Sequence, residues 1–584
     1  MLQRNSKLLQ KKLYLYLIPS TLMILAMQFG SLLDGVLIGN MISTEALTAS
    51  SLVIPILYII QIPGFAIGVG GSIAVGAYLG RRETDKASKA FSACLVWGVA
   101  ISVVFAVLAP IISGPLASLY VPSELFNLGK DFIFMYLITD PIITIALLIS
   151  SFMSTDNSPK TASVFFIISN VVKIGTEVLF IKVFNMGIGG AALSTAAGYF
   201  VGFVTFIFYI KSDKRMLKLS FKLKGSGKLF KESVKASSST AINLILTAVQ
   251  MSVANIIIAN IVTDPTEQAV FGVLANFVFG FDLFVGGMHQ LIPTICAVCY
   301  GEEDYYSLKT AARRIYLLII AVTGVIMTVL LIDPSIYCKI FGVDVVGENY
   351  FAIMRVYLIS FIPYELNKFS QAFYPTVGKN LPAIITVVLR EAVLILPLSI
   401  ALLYTNGLMG YSWAVVISET GTLILTYLFI LIYQKKNKLK KYGIFMIPPY
   451  DSYDSYDVSL ENDIHQSALL SEELVKYSRE HGMDERDAQI VALAGEEITD
   501  NIISFGYNKN RKNTIDVNLK IVNDKMVLRI RDDGVVFDPT KHLSEEEGQM
   551  GGLNLVNHLV NKMSYVRVLN LNNTVLEINI QKEN

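Results

Sequence analysis

Long apolar runs, separated by short polar breaks, fill the chain to about residue 435, and there the pattern stops. A helix needs about 20 apolar residues to cross a hydrocarbon core of about 30 Å, and most of the runs reach that length. Backbone groups in lipid have no water to bond, so helices are the natural form for such runs. The pattern predicts about twelve spans, near 14–38, 50–78, 92–116, 130–154, 161–184, 190–210, 237–261, 269–300, 313–334, 350–375, 382–404 and 409–433. Beyond them the period changes. DAQIVALAGEEITDNIISFGY is apolar at helical spacing, TIDVNLKIV and KMVLRIRDD alternate as strands, GGLNLVNHLVNKM is helical, and YVRVLNL and TVLEINI alternate again. The order helix, two strands, loop, helix, two strands predicts a small α/β two-layer sandwich, for which about 125 residues suffice. Between the two patterns, IPPYDSYDSYDVSLEND repeats YDS without an apolar period and reads as a linker. The expected division is a membrane unit over 1–441, with bundles of about 10–215 and 230–435, a linker over 442–460 and a tail domain over 461–584.

Composition and charge sharpen this picture. With 53% hydrophobic and 16% charged residues, the chain lies outside the balance of soluble globular proteins and reads as an integral membrane protein. Residues 461–584 hold 14 Lys/Arg against 21 Asp/Glu, net −7, which leaves +8 of the whole-chain +1 on residues 1–460. Basic residues collect before the first span, after the second, between Lys211 and Lys235, and after the last. These are alternate breaks, so both termini are expected in the cytoplasm of a cell whose plasma membrane holds the protein. Cys94, Cys296, Cys299 and Cys338 are too few and scattered for a disulfide framework, and Cys296-x-x-Cys299 lies in an apolar run that suits packing thiols. No signal-peptide cleavage pattern is expected in the first run.

MYLIT at 135–139 recurs as VYLIS at 356–360, and AYLGRRETDKASKA at 77–90 is echoed by AVCYGEEDYYSLKTAARR at 297–314, both about 221 residues on. The repeat predicts two pseudo-symmetric six-helix bundles, an arrangement suited to a transporter that rocks about a central site. Charges inside spans cost about 2.5–3.5 kcal/mol each on insertion scales, so each is a functional candidate. Asp34 lies towards one end of the first span, where an aspartate wetted by headgroups is the alternative. Lys173 and Glu177 share a face of the fifth span and could neutralise each other. Arg390 and Glu391 are adjacent in the eleventh and are expected to point apart. Asp140, Asp282 and Glu365 lie in or near spans, Asp140 beside Pro141 and Glu365 near Pro363.

LIPSTLMILAMQFGSLLDGVLIGNMISTEALTASSLVIPI, GVGGSIAVGAYLGRRETDKASKAF, STDNSPKTA, NVVKIGTEVLFI and GIGGAALSTAAG resemble the multidrug and toxic compound extrusion (MATE) transporters over nearly all of residues 10–435. The resemblance implies an antiporter that exchanges H⁺ or Na⁺ for amphipathic, often cationic small molecules. It puts a coupling aspartate at Asp34 and a fifth-span asparagine at Asn170. Lys173 stands where a second asparagine is common, with Glu177 near it, and Glu365 falls near a tenth-span acidic group used for sodium. A seventh-span glutamate is missing, which favours protons. One charge crossing 100 mV is worth about 2.3 kcal/mol, enough for roughly a fifty-fold gradient.

The tail contains no GxxxxGK[ST]. It holds Glu497 and Asn501 one helical turn apart, Asp532-x-Gly534 after a strand, and Gly548, Gly551 and Gly552 opening a helix. An asparagine oxygen can ligate Mg²⁺, a carboxylate one turn away can act as base, an aspartate can accept from an adenine amino group, and glycine amides at a helix start can hold phosphate. GEEITDNIISFGY, IRDDGVVFDP, GQMGGLNLVNHLVNKMSY and NNTVLEINI resemble the boxes of GHKL (Bergerat-type) ATPases, most closely the anti-sigma-factor serine/threonine kinases. The resemblance implies Glu497 as catalytic base, Asn501 as the Mg²⁺ ligand of bound ATP, Asp532, Gly534 and Thr574 at adenine, and Gly548, Gly551 and Gly552 at phosphate. Val536, Met550 and Asn554 depart from the family pattern. His465 lacks the context of a phosphoacceptor and is expected at the surface.

The combined expectation is a cation-coupled exporter whose cytoplasmic ATP-binding tail regulates transport or phosphorylates a partner protein. The alternative is a membrane-anchored signalling protein whose tail is a serine/threonine kinase acting on a regulator. The expected partners are a small-molecule substrate, the lipid bilayer and a regulatory protein, and no nucleic acid.

Overall fold

The computed structural model describes residues 2–580, except 213–214, 221–224, 262–264, 341–346, 440–441, 450–454, 508–512, 523–524 and 542–551. Among the described residues nine helices are long and apolar enough to cross a membrane. The first span is Lys7–Met41, the third Thr84–Tyr120, the fourth Ser123–Thr155, the fifth Pro159–Val183, the sixth Gly187–Ile210 and the ninth Tyr305–Ile332. The second is broken near Pro55 and Pro63 into Thr44–Leu52, Ile54–Ile60 and Ile62–Gly80. The eighth, Thr266–Gly301, contains a wider turn at Ile292–Cys296. Asn380–Lys436 holds the eleventh and twelfth spans, divided where Asn406 and Gly407 leave helical geometry. Ser238–Ile261 is the seventh, and Glu348–Ile359 followed by Phe361–Thr376 the tenth. The twelve expected spans are therefore all present.

Each bundle has its own core. Phe132, Ile133, Leu137, Phe165 and Phe166 pack in the first, and Phe277, Phe281, Tyr357 and Phe361 in the second. Outward-facing Val107, Ile111, Phe208 and Ile332 are more than two-thirds exposed, as lipid-facing side chains should be. Serines and threonines inside the bundles mostly return their hydroxyl protons to helix carbonyls one turn back, as Ser150 and Ser151 do to Leu147. That satisfies the hydroxyls without breaking the helices.

The tail is a five-stranded antiparallel sheet in the order β1-β2-β3-β5-β4, with β1 at Ser455–Glu461, β2 at Thr514–Val522, β3 at Lys525–Asp532, β4 at Lys562–Val568 and β5 at Leu571–Asn579. Val458, Ile515, Val517, Leu528, Ile530 and Leu576 face one way, onto Leu470, Leu474, Val491 and Ile498 of helices Ile464–Glu480 and Glu485–Asn501. Strand alternation sends Asp457, Asp516, Arg529, Arg531 and Asn573 the other way. This second face is polar yet buried, because it sits on the membrane half.

Two expectations change here. Residues 455–460 of the expected linker form β1, since DVSL supplies alternating apolar residues that pair with β2. The amphipathic helix Ile464–Glu480, which the expected element order omitted, covers the sheet next to Glu485–Asn501. His465 is exposed at the start of that helix, as expected.

Candidate functional site

The helix Glu485–Asn501 presents Glu497 and Asn501 one turn apart, and Asn501 Nδ2 donates to the Glu497 carbonyl at 2.6 Å. Its last residues widen into a turn at Ile502–Gly506, which carries the chain across to the end of β3. There Val535 N donates to Gly506 O at 3.0 Å. The same segment thus meets both Glu497 and the Asp532 loop. On the other side, helix Gly552–Leu559 begins against Glu497: a methyl carbon added at Gly552 would overlap Glu497 Oε2, so a larger residue there would displace that carboxylate. Gly548 and Gly551 lie outside the described residues.

Asp532 is buried at the end of β3. Its Oδ1 accepts from Gly534 N at 2.8 Å and from Asn572 Nδ2 at 2.9 Å, while Oδ2 receives neither bond. Burial pushes this carboxyl up to about 6, partly offset by the hydrogen bonds from Asn572 and Gly534. Thr574 lies on the same face two residues beyond Asn572, which pairs with Asp532 across β3 and β5. Asn572 was not anticipated. It also donates to Val535 O at 2.8 Å and accepts from Tyr565 Oη at 2.7 Å, so it fixes the loop after β3. Asparagine in an alternating strand carries no signal that would single it out. Donor chemistry and shape fit a magnesium nucleotide: a buried carboxylate with one free oxygen, a carboxylate and amide one turn apart, and a glycine opening a helix at the carboxylate.

In the first bundle, Lys173 Nζ lies 2.5 Å from Asp34 Oδ2. Spacing alone offers Glu177 as one partner for Lys173. The lysine instead reaches across to the first span, and among the described residues buried Glu177 forms no ion pair. Asn170, one turn before Lys173, packs so tightly on the first span that a methyl carbon at Gly30 would overlap its Oδ1. Asn170 and Lys173 therefore face Gly30 and Asp34, themselves one turn apart, as two rungs between the spans. Asp140 is fully buried in the fourth span.

The second bundle holds a larger network. Glu365 Oε2 meets His289 Nε2 at 2.7 Å, and Lys368 pairs with Asp282. Arg390 Nε donates to Glu419 Oε1 at 2.9 Å, and its Nη2 lies 3.4 Å from Glu391 Oε1. Arg390 and Glu391 were expected to point apart. The wide turn at Leu389–Val393 and the shared neighbour Glu419 bring them together. The Arg390 guanidinium lies 4.3 Å from the Tyr364 ring centre and Lys368 Nζ 5.3 Å from it. The network also brings in His289, Lys368 and Glu419, each an ionisable residue inside a span, the same signal that singles out the others.

Residues 19–179 match the MatE family, and residues 460–578 match the histidine kinase-like ATPase domain. The chain joins a MATE-family domain to a histidine kinase-like ATPase domain. The multidrug export protein MepA of Staphylococcus haemolyticus is 22% identical over 427 residues, 71% of this chain and 93% of that protein. MepA of Staphylococcus saprophyticus is 22% identical over 406 residues, 68% of this chain and 89% of its own length. An outward-facing multidrug resistance MATE family transporter of the MOP superfamily superposes with a TM-score of 0.67 at 17% identity, covering 74% of this chain and 96% of the other. A MOP superfamily transporter from Pyrococcus furiosus, whose binding pocket is described as reversed in polarity, gives 0.66 at 16% identity, covering 73% and 96%. The MATE domain thus has the twelve-helix transporter fold, and the ATPase domain follows it as an addition.

Proposed function

We propose that the MATE domain is a cation-coupled antiporter exporting amphipathic, cationic small molecules, and that the ATPase domain binds Mg·ATP to regulate it. The observation that carries the transport reading is the Lys173–Asp34 pair, a charge pair inside the first bundle at the residue that the family resemblance marks for coupling. The coupling ion in this reading is the proton. Lys173 already supplies Asp34 with a cation, and Lys368 and Arg390 do so for second-bundle carboxylates, so Na⁺ would have to displace a bonded cation at each of these groups. Protonation of Asp34 would release Lys173, and the freed pair would part the first and fifth spans. Asn170, Glu177 and Glu365 are the further residues assigned to coupling and substrate.

For the tail, the proposed assignments are Asn501 for Mg²⁺, Glu497 as base, Asp532, Gly534 and Thr574 for adenine, and Gly548, Gly551 and Gly552 for phosphate. Bound Mg·ATP would supply a phosphoanhydride open to hydrolysis or transfer. Asp532 Oδ2 would accept from the adenine amino group, held in place by the Asn572 and Gly534 bonds to Oδ1. Regulation in cis is favoured over action on a separate regulator by the seating of the sheet on the MATE domain. The transport unit is assigned to residues 1–441 and the nucleotide unit to 461–584 extended back to Ser455. The end that carries both termini is taken as cytoplasmic, in the plasma membrane.

Purified protein in liposomes, loaded with a fluorescent cationic dye and given an imposed proton or sodium gradient, tests the reading. Dye movement driven by the proton gradient and lost in Asp34→Asn is expected. No movement under either gradient would end the transport reading, and sodium-only movement would end the proton assignment.

A further inference from the structure

The second and eighth spans cross at the end of the bundles that carries both termini, and they do so on glycines. A methyl carbon added at Gly80 would overlap Val298 O, and one at Gly301 would overlap Ala77 O. Gly80 and Gly301, like Ala77 and Val298, are 221 residues apart, so the repeat places the same contact twice about the pseudo-two-fold axis. Just beyond, Arg82 and Glu303, again 221 apart, both take the left-handed conformation, with φ of 64° and 56°. Backbone-to-backbone packing of this kind leaves no room for solvent or substrate. It closes that end of the transporter.

The polar face of the ATPase sheet is fastened across this seam. To the second bundle, Arg531 reaches Glu302 Oε2 at 2.6 Å and Asp304 Oδ2 at 2.5 Å, Arg529 Nη1 donates to Glu302 O at 3.0 Å, and Asn573 Nδ2 donates to Glu302 Oε1 at 2.7 Å. To the first bundle, Lys11 Nζ meets Asp533 Oδ2 at 2.6 Å, Lys12 Nζ donates to Asn570 O at 2.9 Å, and Asn157 Nδ2 donates to Arg567 O at 2.7 Å. Val568, Leu569 and Leu571 at the β4–β5 tip join the core formed by Leu8, Tyr16, Leu79 and Val298. One sheet therefore grips both bundles at the place where they would have to separate.

The reverse face of the same strands carries the proposed nucleotide residues. Asp532 faces the pocket while its neighbour Asp533 holds Lys11, and Thr574 faces the pocket while Asn573 holds Glu302. A shift of β3 or β5 on nucleotide binding would move both sets together.

Building on the reading of the chain as a nucleotide-regulated transporter, we infer that the ATPase domain is a latch on the cytoplasmic gate. Docked, it holds Gly80 against Gly301 and blocks loading from the cytoplasm, and nucleotide occupancy sets the fraction of latched molecules. Alternating access needs the two bundles to rock, and a rigid sheet bonded to both forbids it until one set of bonds breaks. Linkage then requires that docking and nucleotide affinity change each other by the same factor.

The test uses the full-length protein in liposomes with spin labels at Lys86→Cys and Lys309→Cys, exposed positions on the two sides of the seam, the four native cysteines being buried. Wild type should show one short distance. Asn157→Ala/Lys11→Ala and, separately, Arg529→Ala/Arg531→Ala should each add a longer one and raise proton-driven dye transport about tenfold, the change that 1.4 kcal/mol of latch corresponds to. Unchanged distances and transport in both pairs would overturn the latch. Saturating Mg·ATP should shift the wild-type distance distribution but not that of Asp532→Asn, and no shift in wild type would overturn the nucleotide link. Calorimetric ATP binding to the same preparations separates these outcomes from a failure of the nucleotide site itself, and dye transport by wild type separates them from a failure of the transporter reading.

Discussion

Asn157 and Asn570 lie 413 residues apart in sequence and bond twice, Asn570 N to Asn157 Oδ1 at 2.8 Å and Asn570 Nδ2 to Asn157 O at 3.0 Å. The first is in the turn between the fourth and fifth spans, the second in the two-residue turn joining β4 to β5. Leu569 and Asn570 both have φ of 55°, the geometry that matches the twist of a tight hairpin. Asparagine suits it and leucine does not. Leu569 is nevertheless only 3% exposed, so burial against the MATE domain offsets a local conformation that costs about 1–2 kcal/mol.

Replacing Leu569 by glycine should relax the turn yet weaken docking, while Leu569→Asp should release the tail by placing an unpaired charge in an apolar seat. Limited proteolysis of residues 442–449 measures this. Cleavage should be slow in wild type, faster in Leu569→Gly and fastest in Leu569→Asp, with the ATPase domain itself staying folded.

Asp532, in its proposed adenine role, gives the tail a pH dependence of defined sign. Its carboxyl is pushed up to about 6, mainly by burial, so the folded domain holds the proton more tightly than the unfolded chain does. That contribution to stability is present at acid pH and is lost as pH rises through about 6. In the proposed assignment, adenine recognition needs the ionised acceptor and runs the opposite way. ATP affinity measured by calorimetry should fall as pH drops from 7 to 5 in wild type, and Asp532→Asn should bind weakly at all pH values. An affinity flat across this range would remove Asp532 from the adenine contact.

The docking face responds at lower pH. Burial alone would raise the Asp304 carboxyl, but Arg531, Arg4 and Arg529 outweigh it and hold the group well below the usual carboxylate range. A depressed carboxylate contributes stability above its ordinary range and loses it as pH falls below. Interdomain contact, followed by energy transfer between labels on the two domains, should persist at neutral pH and weaken in stages on acidification, Asp457, whose carboxyl burial raises, releasing Arg4 before Asp304 releases Arg531. Arg531→Ala should undock at neutral pH, because it leaves Glu302 and Asp304 without their main counter-ion.

Much of this architecture could be read from residue order, and the unread parts share a cause. Span positions are legible because lipid imposes a minimum apolar length on each helix. The helix that carries Glu497 and Asn501 and the strand end that carries Asp532 are legible because helical and strand periods show without knowledge of the rest of the fold. Lys173 is different. Its hydrogen-bonded partner sits 139 residues away on another span, while the same-helix neighbour Glu177 is the one that spacing brings to mind. Arg529, Arg531, Asp516 and Asn573 look like the wet side of a half-buried sheet, since alternation is the same whether the polar face meets water or another domain. Only the folded contact with Glu302 and Asp304 tells the two apart.

Gly30 tests how closely the first and fifth spans must pack around the Lys173–Asp34 pair. A methyl carbon there overlaps Asn170 Oδ1, so Gly30→Ala must push Asn170 aside or part the two helices. Overpacking of this kind costs about 1–3 kcal/mol. Displacing the fifth span would also lengthen the Lys173–Asp34 contact, one turn along on the same faces. The expected result is a lower melting temperature together with weaker proton coupling of dye export. The double variant Gly30→Ala/Asn170→Ala should recover most of both, because the smaller side chain restores the space. Loss of export without recovery in the double variant would mean that Asn170 acts through its amide rather than its fit.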